Sequence, residues 1–67
     1  MVIADRLKEC RKQKNITQKE VAEHIGVTAS SYQKYELAER TPSVETLIKL
    51  ADYFDVTLDY LMGRRDA

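Results

Sequence analysis

Cysteine and histidine occur once each in the 67 residues, as Cys10 and His24. A lone cysteine cannot close a disulfide within its own chain, and one cysteine with one histidine leaves a metal centre short of soft ligands. No metal or other cofactor is therefore expected, and the cysteine usage fits a reducing, cytoplasmic setting. Long apolar runs are also missing, and the Met1-Val2-Ile3-Ala4 start meets charge at Asp5 and Arg6, too soon for a signal peptide. No membrane partner is expected. Net charge is zero, from eleven basic and eleven acidic residues, which excludes a polyelectrolyte that works by bulk attraction. With two glycines, one proline and no alternating run of β-branched residues, little interrupts a helical pattern. Enzyme signals are absent too. There is no phosphate-cradling glycine loop, no nucleophile beside a base and no carboxylate pair with a cleft to sit in, so neither catalysis nor a small-molecule site is expected.

What the sequence does contain is apolar residues at helical spacing. At 43% apolar and 33% charged it reads as a folded globular chain, a single domain over residues 1–67 with a core from 3 to 63 and a frayed tail from 64 to 67. Chains of this length bury only about 60% of their unfolded surface, so the packing must be well specified. The expected fold class is all-α, a compact five-helix bundle. Ile3, Leu7 and Cys10 step along a first helix whose last turn carries Arg11, Lys12 and Lys14, and Asn15 stops it. Thr17-Gln18-Lys19-Glu20 reads as a capping box opening a second helix that buries Val21, Ala22 and Ile25 and ends at Gly26. Thr28 caps a third, in which Tyr32 and Tyr35 share the inner face and Ser30, Gln33 and Lys34 lie on others. Leu37 to Pro42 is the longest connection. Ser43 then caps a fourth helix with the stripe Val44, Leu47, Ile48, Ala51 and Phe54; Asp55-Val56 turns, and Thr57 caps a short fifth helix that stops at Gly63. Cys10 reads as a small core residue and His24 as an exposed one.

The informative segment runs from Gln18 to Tyr35: a short helix, a tight turn at Gly26 and a second short helix. Ala22 is small where the two helices approach closely, and Gly26 permits positive φ in the turn. Val21, Ile25, Val27, Tyr32 and Tyr35 point inward, which favours tyrosines in the core over tyrosines that stack on bases. A helix so fixed stands out as a ridge, and a B-form major groove about 12 Å wide admits one. Residues 1–40 hold eight basic against six acidic side chains, residues 41–67 three against five. Such a mild dipole can turn one end toward an anionic partner.

Over residues 5 to 63 the sequence resembles the helix-turn-helix domains of the phage-repressor and Cro type, also called the xenobiotic-response-element-like family. The resemblance is carried by Arg6-Leu7-Lys8 with Arg11, Ile16-Thr17-Gln18 with Val21-Ala22, Gly26-Val27-Thr28, and Tyr35-Glu36. It continues through Pro42-Ser43, Leu47, Leu50-Ala51, Val56-Thr57 and Leu58-Asp59-Tyr60-Leu61-Met62-Gly63. It implies that Gln18 bonds a DNA phosphate and that Thr28, Ala29, Ser30, Gln33 and Lys34 form the exposed face of a recognition helix. Ala29 offers only a methyl contact where a long amide often reads a base, so readout would lean on Gln33 and Lys34. Leu37-Ala38-Glu39-Arg40 replaces the family's usual Asn-Gly-Lys type of turn and leaves Arg40 as its one basic residue. Arg11 and Glu36 match positions that form an ion pair between the first and third helices. Thr41, Pro42, Thr57 and Leu58 match the segments through which relatives dimerise, with Leu58 the most exposed apolar candidate. The expected function is that of a prokaryotic or phage transcriptional regulator, a repressor binding double-stranded DNA as a homodimer on a palindromic operator. The alternative is a protein-interaction module of the same fold, an antitoxin or partner-sequestering regulator with weak DNA binding.

Overall fold

The computed structural model of the protein describes residues 2–64. Five helices follow in order: α1 (Val2–Lys14), α2 (Gln18–Ile25), α3 (Ala29–Glu36), α4 (Val44–Phe54) and α5 (Leu58–Leu61). No strand occurs among the described residues. The core collects Leu7 from α1, Val21 from α2, Tyr32 from α3, Leu50 from α4 and Leu61 from α5, all fully enclosed. Cys10 is buried among them, and burial, then the neighbouring Glu9, pushes its thiol up.

Helices α2 to α5 each open on a side-chain cap. The Oγ atoms of Thr17, Thr28, Ser43 and Thr57 accept from the backbone N–H three residues on, at 3.0–3.2 Å. At α2 the box is complete, because Glu20 Oε1 accepts from the Thr17 amide at 3.1 Å. The other ends share one device. Asn15, Gly26, Ala38, Asp55 and Gly63 all have φ between 56° and 79°, and the N–H after each donates to the carbonyl five residues back. Those bonds run from Ile16 to Arg11, Val27 to Ala22, Glu39 to Lys34, Val56 to Ala51 and Arg64 to Asp59, at 2.8–3.3 Å. Three of the four connections are therefore one three-residue joint used again: a left-handed residue, a β-branched residue packed on the core (Ile16, Val27 or Val56), and a capping threonine.

The ends of the bundle close on each other. Arg6 of α1 lies over the Tyr60 ring of α5, 4.2 Å from its centroid. Gly63 comes so near Val2 that a Cβ there would strike the valine's Cγ1. Arg64, expected to fray, is tied by its amide to the Asp59 carbonyl at 2.8 Å; the rest of the expected tail, residues 65–67, lies outside the described residues.

Helix α4 departs from the expected stripe. Val44 and Ile48 are 67% and 47% exposed, while Leu50 is fully buried beside Leu47, Ala51 and Phe54. Steps of three and four describe two adjoining lines on a helix, and α2 and α5 pack against the line through Leu50. Of the apolar residues in the expected dimer segments, Pro42 is buried and Leu58 half-buried, which leaves Leu58 the more exposed of the two; neighbouring Val44, outside that set, is more exposed still.

Ala38 and Gly63 occupy the same left-handed region, with φ of 62° and 77°, and substitutions there should act in opposite directions. Ala38→Gly relieves a strained alanine and is expected to stabilise by about 0.5–1 kcal/mol after the added freedom of the unfolded chain. Gly63→Ala introduces the same strain and displaces Val2, and should destabilise by at least about 1 kcal/mol. Urea unfolding of both variants measures the two signs.

Candidate nucleic-acid interface

Helices α2 and α3 pack against each other across the Gly26-Val27-Thr28 joint, and α3 also rests on α1. The first turns of α2 and α3 open on one shallow groove. Gln18 and Lys19 line it from α2; Ala29, Ser30 and Gln33 line it from α3; Arg11 and the Ile16-Thr17 joint close its back. Helix N-termini expose unpaired N–H groups and a positive dipole end, so a groove between two of them suits an anion.

Four of the expected contact residues, Gln18, Ala29, Ser30 and Gln33, thus meet in one place. Lys34 and Arg40 are exposed but stand outside the groove lining, on the outer side of α3 and in the turn after it. Thr28 is held by capping: its Oγ1 accepts from the Ser31 amide at 3.0 Å and donates to the Ser31 hydroxyl at 2.9 Å. Lys19 was not among the expected contacts. Its signal was its place beside Gln18 in the first turn of α2.

Behind the groove lies a charged cluster. The Arg11 guanidinium donates from Nε to Glu36 Oε2 at 2.8 Å and from Nη2 to Glu36 Oε1 at 3.1 Å, a two-pronged pair. Its Nη1 donates to the Ile16 carbonyl at 3.1 Å, so the same side chain also holds the α1–α2 joint. Gln18 Nε2 donates to Glu36 Oε1 at 3.0 Å, a bond the sequence did not announce. The Glu36 side chain is 2% exposed and that of Arg11 19%. Burial alone would push the Glu36 carboxyl up; the bond from Arg11, with the proximity of the Tyr32 hydroxyl and the bond from Gln18 adding to it, prevails and holds the group below its ordinary 4.5. The carboxylate in turn raises the Arg11 guanidinium. The Tyr32 hydroxyl lies beside this carboxylate, buried and, among the described residues, without a partner in hydrogen-bonding geometry. Burial first and Glu36 second push it well above the usual phenol range.

Other titratable groups stand apart. His24 is exposed and stacks on Tyr53 of α4, with ring centroids 4.1 Å apart and planes inclined by 31°. Among the described residues no group of three or more His, Cys, Asp or Glu side chains is placed to hold a metal ion, and no helix is long and apolar enough to cross a membrane.

The Glu36 cluster fixes an acid limb for stability. A carboxylate held below its unfolded value adds stability above that value and loses it as pH falls through the folded one. The protein should therefore weaken as pH drops below about 4.5. Glu36→Gln should cost about 3 kcal/mol near neutral pH, because it strands Arg11, and should make the acid limb shallower. Replacing Arg11 and Glu36 together by methionine should cost less than Glu36→Gln alone. Thermal unfolding followed between pH 3 and 7 checks all three outcomes.

The helix-turn-helix family pattern matches residues 7–61. AnsR of Bacillus subtilis strain 168, an HTH-type transcriptional regulator, is 48% identical over 60 residues, 90% of this chain and 52% of AnsR. The transcriptional repressor RstR of the cryptic phage CTXphi, from Vibrio cholerae O1 El Tor, is 44% identical over 64 residues, 96% of this chain and 57% of RstR. This chain thus spans about half the length of the curated relatives it matches. Among solved structures, the P22 c2 repressor in complex with a synthetic operator superposes with a TM-score of 0.90 at 25% identity, covering 97% of this chain and 98% of that one. With its five helices, its α2–α3 pair and its groove in place, the chain belongs to the helix-turn-helix family of the phage-repressor, Cro-like type.

Proposed function

We propose that this chain binds double-stranded DNA sequence-specifically, with α3 in the major groove, and acts as a homodimeric repressor on a palindromic operator. The observation that carries the reading is the shared groove of the α2 and α3 N-termini, where Gln18, Ala29, Ser30 and Gln33 meet over a fixed ion pair. Gln18 takes a phosphate at the start of α2, and Arg40 adds a second backbone contact from the turn. Gln33 and Lys34 reach base edges, with the Ala29 methyl against a thymine. Repression follows from occupancy, since a bound dimer blocks polymerase without a further surface. The repressor name of RstR and the operator in the P22 c2 complex support this assignment.

The dimer forms through Thr41 and Pro42 before α4 and Thr57 and Leu58 at the start of α5. Val44, two residues past Pro42 and 67% exposed, adds apolar surface for the partner to cover. Two-fold symmetry then sets the recognition helices about 34 Å apart and the half-sites about 10 bp apart.

Selection of bound sites from a random duplex pool tests binding, specificity and spacing together. Gln18→Ala should weaken binding evenly across sites, while Lys34→Ala should flatten preference at one or two base pairs. Val44→Glu should leave the monomer folded and abolish cooperative occupation of two half-sites; a gel shift on one and two half-sites reads this directly. A chain that shows no salt-dependent preference for any duplex would instead be the protein-interaction module of this fold.

A further inference from the structure

Gln18 is engaged on two sides: the residue lines the groove, and its side-chain amide bonds Glu36 behind it. The orientation of that amide is fixed by chemistry, because an ionised carboxylate only accepts and the atom facing it must be the nitrogen. Glu36 is itself buried, 3% exposed and clasped by Arg11 at 2.8 and 3.1 Å. Arg11 is anchored in turn to the Ile16 carbonyl. One N–H of Gln18 is thus taken and the other remains, on a side chain that borders the groove. The Arg11 charge also offsets that of Glu36, so the carboxylate can sit behind the groove without repelling an anion from it.

We infer that Glu36 is a positioning residue for DNA, which it never touches: it holds the Gln18 amide in one rotamer with the second N–H presented to a backbone phosphate. The inference rests on the DNA-binding reading above and assigns the ion pair a part in affinity as well as in the fold. A glutamine free to rotate must be immobilised when it binds, which weakens association about three- to tenfold per side chain.

The test is a double-mutant cycle on the whole chain. Affinity for a selected duplex is measured across salt concentrations for the wild type, Glu36→Met, which removes the acceptor, Gln18→Met and the two combined, at a temperature where circular dichroism shows each folded. Glu36→Met should weaken binding about three- to tenfold where Gln18 is present and cause no further loss once Gln18→Met has been made. Equal losses in both backgrounds overturn the positioning role while leaving DNA binding intact; a wild type that binds no duplex overturns both. A second measurement needs no substitution. In the free wild type the Gln18 side-chain amide should show an NMR order parameter near the rigid backbone value of about 0.85, and a value below about 0.6 overturns the inference.

Discussion

A single carboxylate, that of Glu36, joins three of the five helices. It belongs to the last turn of α3, accepts two bonds from Arg11 of α1, and accepts a third from Gln18 at the start of α2. Burying an ionised group costs several kcal/mol, which good geometry and further hydrogen bonds must offset. Here both oxygens are engaged, so the cluster is a constraint on arrangement more than a source of net stability. An apolar core tolerates sliding and repacking; a buried charge with three fixed donors tolerates one placement of α3 relative to α1 and α2. The orientation of the exposed face of α3 follows from that placement.

Zero net charge and an anion-suited groove are compatible in this architecture. The charges of Arg11 and Glu36 offset each other, and what remains along the lining is Lys19 together with the N–H groups of two helix ends. Any attraction such a groove exerts on an anion is local and geometric, with little long-range field. The 25% identity and TM-score of 0.90 shared with the P22 c2 repressor fit the same picture, since backbone arrangement tolerates extensive change of side chains when capping, core pattern and a few polar contacts are kept.

How much of this was legible in the sequence depended on whether a feature is local. Thr17, Thr28, Ser43 and Thr57 announced their helices because capping is side-chain chemistry within four residues. Asn15, Gly26 and Gly63 announced helix ends because their residue types accept positive φ. Ala38 did not, since alanine carries no preference for the left-handed region and is placed there by the bonds to the Lys34 carbonyl. The α4 stripe was half right: Leu47, Ala51 and Phe54 are inside, but only the packing of α2 and α5 distinguishes the line through Leu50 from that through Val44 and Ile48. Gln18, Ala29, Ser30 and Gln33, expected from the family pattern as DNA contacts, line one groove. The bond from Gln18 to Glu36 was not legible: the family pattern carries the Arg11–Glu36 pair across 25 residues, but no motif marks the Gln18 bond, and only tertiary structure brings its two ends together.

The repeated joint has a mechanical consequence. Asn15-Ile16-Thr17, Gly26-Val27-Thr28 and Asp55-Val56-Thr57 each brace their backbone by a left-handed residue, a packed residue and a cap. On the proposed binding to DNA, a body of α1, α2 and α3 braced in this way would lose entropy on docking mainly in its surface side chains and little in its main chain. The 37–43 connection is the longest between two helices and the one not built this way. Any adjustment of the α1–α3 body against α4 and α5 is concentrated there, at the end of α3 farthest from its Thr28 cap.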